Sequence, residues 1–196
     1  KDIKCFGEKG NIILTVSGGM PPYKYDWTGP NGFTYSGTGP EFSEISNLEP
    51  GVYDVIVTDA AGFQVPKKYE IKDVPQLTWV QHDSKVLLDC YNDNDGYINI
   101  EVAGGTLPYS IKWNGPNLDK ENVYSVGNLT VGKYTAEITD ANNCPVDRPF
   151  IQEITQPEEL NLEATLAHNN CYNDKDGAID ITVTGGVPDY IYRWSG

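Results

Sequence analysis

Apolar and polar residues alternate with a period of two along most of this chain, the pattern of strands that turn one face to a core and the other to water. Ile12, Leu14 and Val16 share a face, as do Ile98, Ile100 and Val102, and Ile179, Ile181 and Val183. A second set, Tyr23, Tyr25 and Trp27, is matched by Tyr109, Ile111 and Trp113 and by Tyr190, Tyr192 and Trp194. A third, Tyr53, Val55 and Val57, has its counterpart in Tyr134, Ala136 and Ile138. No segment sustains helical spacing, and turns of Gly, Pro, Asn and Asp separate the strands. About seven short strands in roughly 80 residues predict an immunoglobulin-like sandwich.

The sets recur because the sequence repeats. Gly18-Gly19, Gly104-Gly105 and Gly185-Gly186 each precede an aromatic segment ending in Trp: PPYKYDWTG, LPYSIKWNG and PDYIYRWSG. Cys5, Cys90 and Cys171 stand ahead of the three glycine pairs at nearly constant distance. The later half of the unit occurs twice, as Asn47–Tyr53 followed by VIVTDAAG and as Asn128–Tyr134 followed by AEITDANN. The expected fold class is therefore all-β, with tandem immunoglobulin-like β-sandwich repeats of about 80 residues. Repeat 1 spans 1–75 with most of its opening strand missing, repeat 2 spans 76–157 and is complete, and 158–196 is the N-terminal part of repeat 3. Pro75 and Pro157 mark short joints with few residues free to flex, and Lys1 reads as the start of an internal or mature segment.

Trp27, Trp113 and Trp194 are expected in the core between sheets, the usual place for a Trp at this point of a sandwich. Sugar-stacking platforms are the other reading of the aromatic triplets. Tyr53 and Tyr134 sit in L-x-x-G-x-Y, which resembles a tyrosine corner tying a loop to the next strand. The sequon Asn128-Leu129-Thr130 lies inside that same segment and is taken as coincidence.

Lys+Arg 14 against Asp+Glu 28 leaves a formal charge of −14, which argues against nucleic acid and anionic membrane as partners. No apolar run approaches the roughly 20 residues that span a bilayer, so membrane insertion is not expected. Cys144 stands where repeat 1 has Phe63, so Cys90 and Cys144 are expected to form a disulfide within repeat 2. Cys5 and Cys171 then have no partner. A disulfide in a repeated module implies an oxidising, extracytoplasmic setting. Zinc is not expected, with no close cysteine pair and with His82 and His168 far apart in sequence.

The acidic turns Asn92–Gly96 and Asn173–Gly177 directly follow a cysteine. Calcium is one reading, with Asp93, Asp95 and Asp140 as ligands once the Cys90–Cys144 bond draws Asp140 close. An ordinary solvated D-G turn is the other. Neither a nucleophile–base pair nor a phosphate-binding glycine loop is present, and no catalytic residue is expected.

Taken together, several segments resemble the SprB-type repeat of very long cell-surface adhesins of gliding Bacteroidota. They are the leading cysteine, the D-G or K-G turn, G-G-x-P-P-Y-x-Y-x-W, N-L-x-x-G-x-Y-x-V-x-V-T-D and the closing cysteine. The resemblance covers repeat 2, most of repeat 1 and the front of repeat 3. It implies export by the type IX route, display at the outer cell surface, and a part in attachment and gliding. The partners expected are neighbouring repeats of the same chain and a surface polysaccharide or substratum. A carbohydrate-binding module or an accessory sandwich of a secreted enzyme is the alternative. Two departures stand out: Phe63 replaces the closing cysteine in repeat 1, and repeat 3 reads Pro188-Asp189-Tyr190.

Overall fold

The computed structural model describes residues 2–173 and 175–195. They form strands throughout, with a single 3-10 turn at Pro30–Gly32. The chain divides into two compact units. The first comprises Lys1–Thr78, Val102–Tyr109 and Thr139–Arg148, and the second comprises Trp79–Glu101, Ser110–Ile138 and Pro149–Gly196.

In the first unit the strands are β1 (Gly10–Thr15), β2 (Tyr23–Thr28), β3 (Thr34–Gly39), β4 (Phe42–Leu48), β5 (Gly51–Thr58) and β6 (Gln64–Ile71). β1 pairs with β4, and the other four form a sheet in the order β3-β2-β5-β6. Alternation decides which side chains enter. Ile12 and Leu14 of β1 and Ile45 and Leu48 of β4 meet Tyr25, Trp27, Tyr53 and Val55 in one core cluster. Trp27 is 1% exposed, and its indole N–H donates to Ser43 Oγ at 3.1 Å, so the one polar atom of the ring has a partner inside the core.

The same plan follows with β7 (Thr78–Gln81), β8 (Gly96–Ala103), β9 (Ser110–Gly115), β10 (Leu118–Glu121), β11 (Ser125–Leu129), β12 (Gly132–Thr139) and β13 (Phe150–Ile154). The sheets are β11-β8-β7 and β10-β9-β12-β13, so β7 supplies the opening strand as an edge beside β8. A three-stranded sheet and a four-stranded one, with antiparallel ladders β11–β8, β10–β9 and β12–β13 and alternate residues of β8, β9 and β12 buried, make an immunoglobulin-like sandwich. In the second unit Trp113 and Phe150 are fully buried with ring centroids 5.2 Å apart, and Trp79 also packs on Phe150 edge-on, at 4.8 Å. The indole of Trp113 donates to the carbonyl of Val123 at 2.8 Å. Trp27 and Trp113 are thus core residues, and the sugar-platform reading fails for both.

Trp194 departs from expectation. β14 (Asn161–Ala167) and β15 (Ala178–Thr184) pair in continuous register, yet Trp194 is 64% exposed and Tyr192 51%. Burial of Trp27 draws on β4 and β5, and among the described residues of 158–195 the strands are β14 and β15, with no counterpart of either.

Candidate functional site

The chemistry-bearing residues gather at the turns joining strands. After β5, Asp59 opens a tight loop: its Oδ1 accepts the N–H groups of Ala61 and Phe63, both at 2.9 Å, and its Oδ2 accepts Met20 N–H at 3.1 Å. After β12, Asp140 repeats this bond for bond. Oδ1 accepts Asn142 and Cys144 N–H at 2.8 and 2.9 Å, and Oδ2 accepts Thr106 N–H at 2.8 Å. The Phe63 and Met20 amides hold the Asp59 carboxyl below its ordinary value. For Asp140, 3% exposed, burial opposes ionisation, but the Cys144, Thr106 and Asn142 donors outweigh it and its carboxyl also lies low. Each carboxylate thereby ties the loop to the residue after a glycine pair, Gly18-Gly19 in one copy and Gly104-Gly105 in the other.

The opening turn is equally regular. Glu8 N–H donates to Cys5 C=O at 3.2 Å and Asp93 N–H to Cys90 C=O at 3.3 Å. The third residue of each turn takes a left-handed conformation, Gly7 at φ +78°, Asn92 at +60° and Asn173 at +69°. Asp174 of the third turn lies outside the described residues.

Cys144 is bonded to Cys5, across a sequence separation of 139, and not to Cys90. Cys90 and Cys171 are free and exposed. The expected Cys90–Cys144 bond is therefore corrected, and strand geometry supplies the reason. In repeat 1 the cysteine precedes β1, while the closing loop, held on Gly19 and Met20, follows it. Six extended residues hold those two places roughly 20 Å apart, whereas a disulfide needs Cα atoms within about 7 Å. The Cys5 and Cys144 Cα atoms are 5.6 Å apart. Beside them Asn142 Nδ2 donates to Lys4 C=O at 3.3 Å and to Thr106 Oγ1 at 3.1 Å, docking the opening segment onto the loop.

The calcium reading loses its ground with that bond. Asp140 spends both carboxylate oxygens on backbone amides. Asp95 pairs with the Lys85 ammonium, which also meets Asp89 at 2.7 Å, so a lysine already supplies the cation there. Lys85 in turn lowers the Asp95 pKa. Asp93 accepts Asn94 N–H at 2.8 Å. Among the described residues no three His, Cys, Asp or Glu side chains are placed to hold a metal ion.

The tyrosine corners are present. Tyr53 Oη donates to Glu49 C=O at 2.9 Å and Tyr134 Oη to Thr130 C=O at 3.0 Å. What sequence reading missed is the seat of each ring. A Cβ on Gly29 would lie 2.5 Å from Tyr53 Cδ1, and one on Gly115 would lie 2.2 Å from Tyr134 Cδ1, so only glycine admits the ring. The recurring W-x-G was the available signal. Asn47 and Asn128 adopt φ +59° and +56°, which explains Asn in both copies of N-L-x-x-G-x-Y without any glycan.

Fold and site together define an all-β chain of repeated sandwich elements whose opening turns and closing loops are rebuilt from copy to copy. The SprB repeat family model matches residues 1–32, 88–118 and 164–196, so these three segments are consistent with SprB-type repeats. Each match covers one opening turn, the strand after it, the glycine pair and the aromatic segment. Among solved structures the chain is similar to the fibronectin(III)-like modules of Clostridium thermocellum CbhA, at 14% identity over 77% of this chain and 87% of that one, TM-score 0.35. It is also similar to three N-terminal domains of the bacteriophage RB49 outer capsid protein Hoc (14%, 95% and 67%, TM-score 0.46) and to murine CEACAM1b (13%, 78% and 96%, TM-score 0.34). No curated protein matches it at a significant level. Among the described residues no helix is long and apolar enough to cross a membrane.

Proposed function

We propose that this chain is a structural and adhesive segment of a long bacterial cell-surface adhesin or filament, exported by the type IX route and used in attachment and gliding. The carrying observation is the threefold occurrence of the SprB repeat in one chain. The chemistry agrees with a mechanical role. Geometry shared between copies is spent on loop-tying carboxylates and tyrosine corners, and a disulfide is added to one copy of the loop; all of these resist unfolding rather than transform a substrate. The acidic surface keeps such an array soluble at the cell exterior. Joints at Pro75 and Pro157 divide the array into its repeats. Polysaccharide binding would have to use aromatics other than Trp27 and Trp113, which are buried.

The test is immunolabelling with antibodies raised against residues 1–196, on intact cells of the producing bacterium, combined with attachment assays in the presence of their Fab fragments. Labelling without permeabilisation and loss of attachment or of gliding speed is the expected result. Labelling only after permeabilisation would overturn the surface assignment. Surface labelling with unimpaired attachment and movement would overturn the adhesive part.

A further inference from the structure

The bonded joint and two incomplete versions of it stand side by side in this chain. Around the Cys5–Cys144 bond, Cys5, Phe6, Leu77, Gly105, Asp140 and Cys144 line a cavity of about 290 Å³. A second cavity, about 180 Å³, has the closing half alone: Gly18, Gly19, Tyr23, Asp59 and Phe63. A third, about 470 Å³, has the opening half alone: Cys90, Tyr91, Pro157, Leu160, Gly186 and Tyr190.

The third matches the first in detail. Gly105 N–H donates to Pro75 C=O at 2.8 Å, and Gly186 N–H to Glu158 C=O at 2.8 Å. A Cβ on Gly105 would lie 3.1 Å from Leu77 Cδ1, and one on Gly186 2.9 Å from Leu160 Cδ1, so the same leucine seals each glycine pair. Tyr109 Oη donates to Gly104 C=O, and Tyr190 Oη to Gly185 C=O. Cys90 and Cys5 occupy the same hydrogen-bonded turn, each followed by an aromatic that lines the cavity. The seat of Cys90 thus reproduces the seat of Cys5, down to the backbone bonds, with only the closing loop to be added.

We propose that Cys90 is the acceptor of an inter-repeat disulfide from a cysteine in the closing loop of the third repeat, presented as Cys144 is, four residues after the loop aspartate. The rule is that the opening cysteine of one repeat joins the closing loop of the next, never its own, because a full strand separates the two within a repeat. The Asp59 loop has the geometry of the Asp140 loop whichever residue occupies its last place, and Phe63, 71% exposed, lies out of reach of Cys5 at the other end of β1. Formation is thiol–disulfide exchange. With oxidised glutathione as oxidant, the closing cysteine displaces one glutathione to form a mixed disulfide, the Cys90 thiolate attacks its protein sulfur, and the second glutathione leaves. Two protein thiols are oxidised as one glutathione disulfide is reduced.

The test extends the full chain past Gly196 with a second copy of residues 116–157, which continues Trp194-Ser195-Gly196 as Trp113-Asn114-Gly115 continues. The protein is refolded in a glutathione redox couple and its linkages are mapped by non-reducing digestion and mass spectrometry. Expected are Cys5–Cys144, Cys90 linked to the added cysteine, and Cys171 alone alkylated. A bond from the added cysteine to Cys171, or a Cys90 still open to alkylation, overturns the proposal. A second variant, F63C in the unextended chain, changes an exposed side chain and should add one alkylatable thiol while Cys5–Cys144 persists. Transfer of Cys5 to the F63C thiol would overturn the rule.

Discussion

Replacing Cys5 or Cys90 by Ser separates the observed linkage from the one that adjacency in sequence suggests. Cys5→Ser opens a cross-link spanning 139 residues, and the loss of loop-closure entropy from the unfolded chain corresponds to about 5 kcal/mol when the chain unfolds cooperatively. Cys90 is exposed and unbonded, so Cys90→Ser is expected to stay within about 0.5 kcal/mol of the parent. The assay is urea unfolding of the oxidised protein followed by the fluorescence of Trp27 and Trp113, both buried and both exposed on unfolding. C5S should lower the midpoint and also raise the slope, since an uncrosslinked denatured chain exposes more surface. Reductant should bring the parent to the C5S curve and leave C5S itself unmoved. A Cys90→Ser variant as unstable as C5S, or a C5S variant with the parental midpoint, would refute the strand-length reasoning along with the pairing.

Asp140→Asn removes the charge that receives three amide donors and should cost about 2 kcal/mol or more at pH 7. Because the folded-state carboxyl lies below its ordinary value, its stabilisation is complete above the unfolded pKa of about 4 and fades as pH falls through the folded one. Urea midpoints of parent and D140N should therefore converge in strong acid, and a gap independent of pH would contradict this. Trp113→Ala should cost about 3–5 kcal/mol and Trp194→Ala under about 1 kcal/mol, read from the same melts, although both residues close the same motif. Gly115→Ala, which drives a methyl into the Tyr134 ring, should cost about 1–3 kcal/mol. Melting temperatures in calcium and in chelator should coincide, and a clear rise with calcium would restore the acidic turns as ligands.

The chain by itself determined most of the strands, the buried face of those around Trp27 and Trp113, the all-β sandwich and the likeness to SprB repeats, because alternation and repeat spacing are local properties of the residues. Tyr53 and Tyr134 were legible for the same reason, as L-x-x-G-x-Y specifies a contact four residues away. Cysteine pairing was not. Cys5 and Cys90 occupy equivalent turns, and nothing in their surroundings along the chain says which meets Cys144. The length of a strand decides it, by carrying the closing loop to the far end of its own sandwich from the cysteine that opens it. The calcium expectation fell with that pairing, since Asp140 turned to backbone amides and Asp95 to Lys85. Trp194 carries the same motif as Trp27 and Trp113 but is 64% exposed, because burial belongs to the strands that pack over a residue, and among the described residues no counterparts of β4 and β5 accompany it.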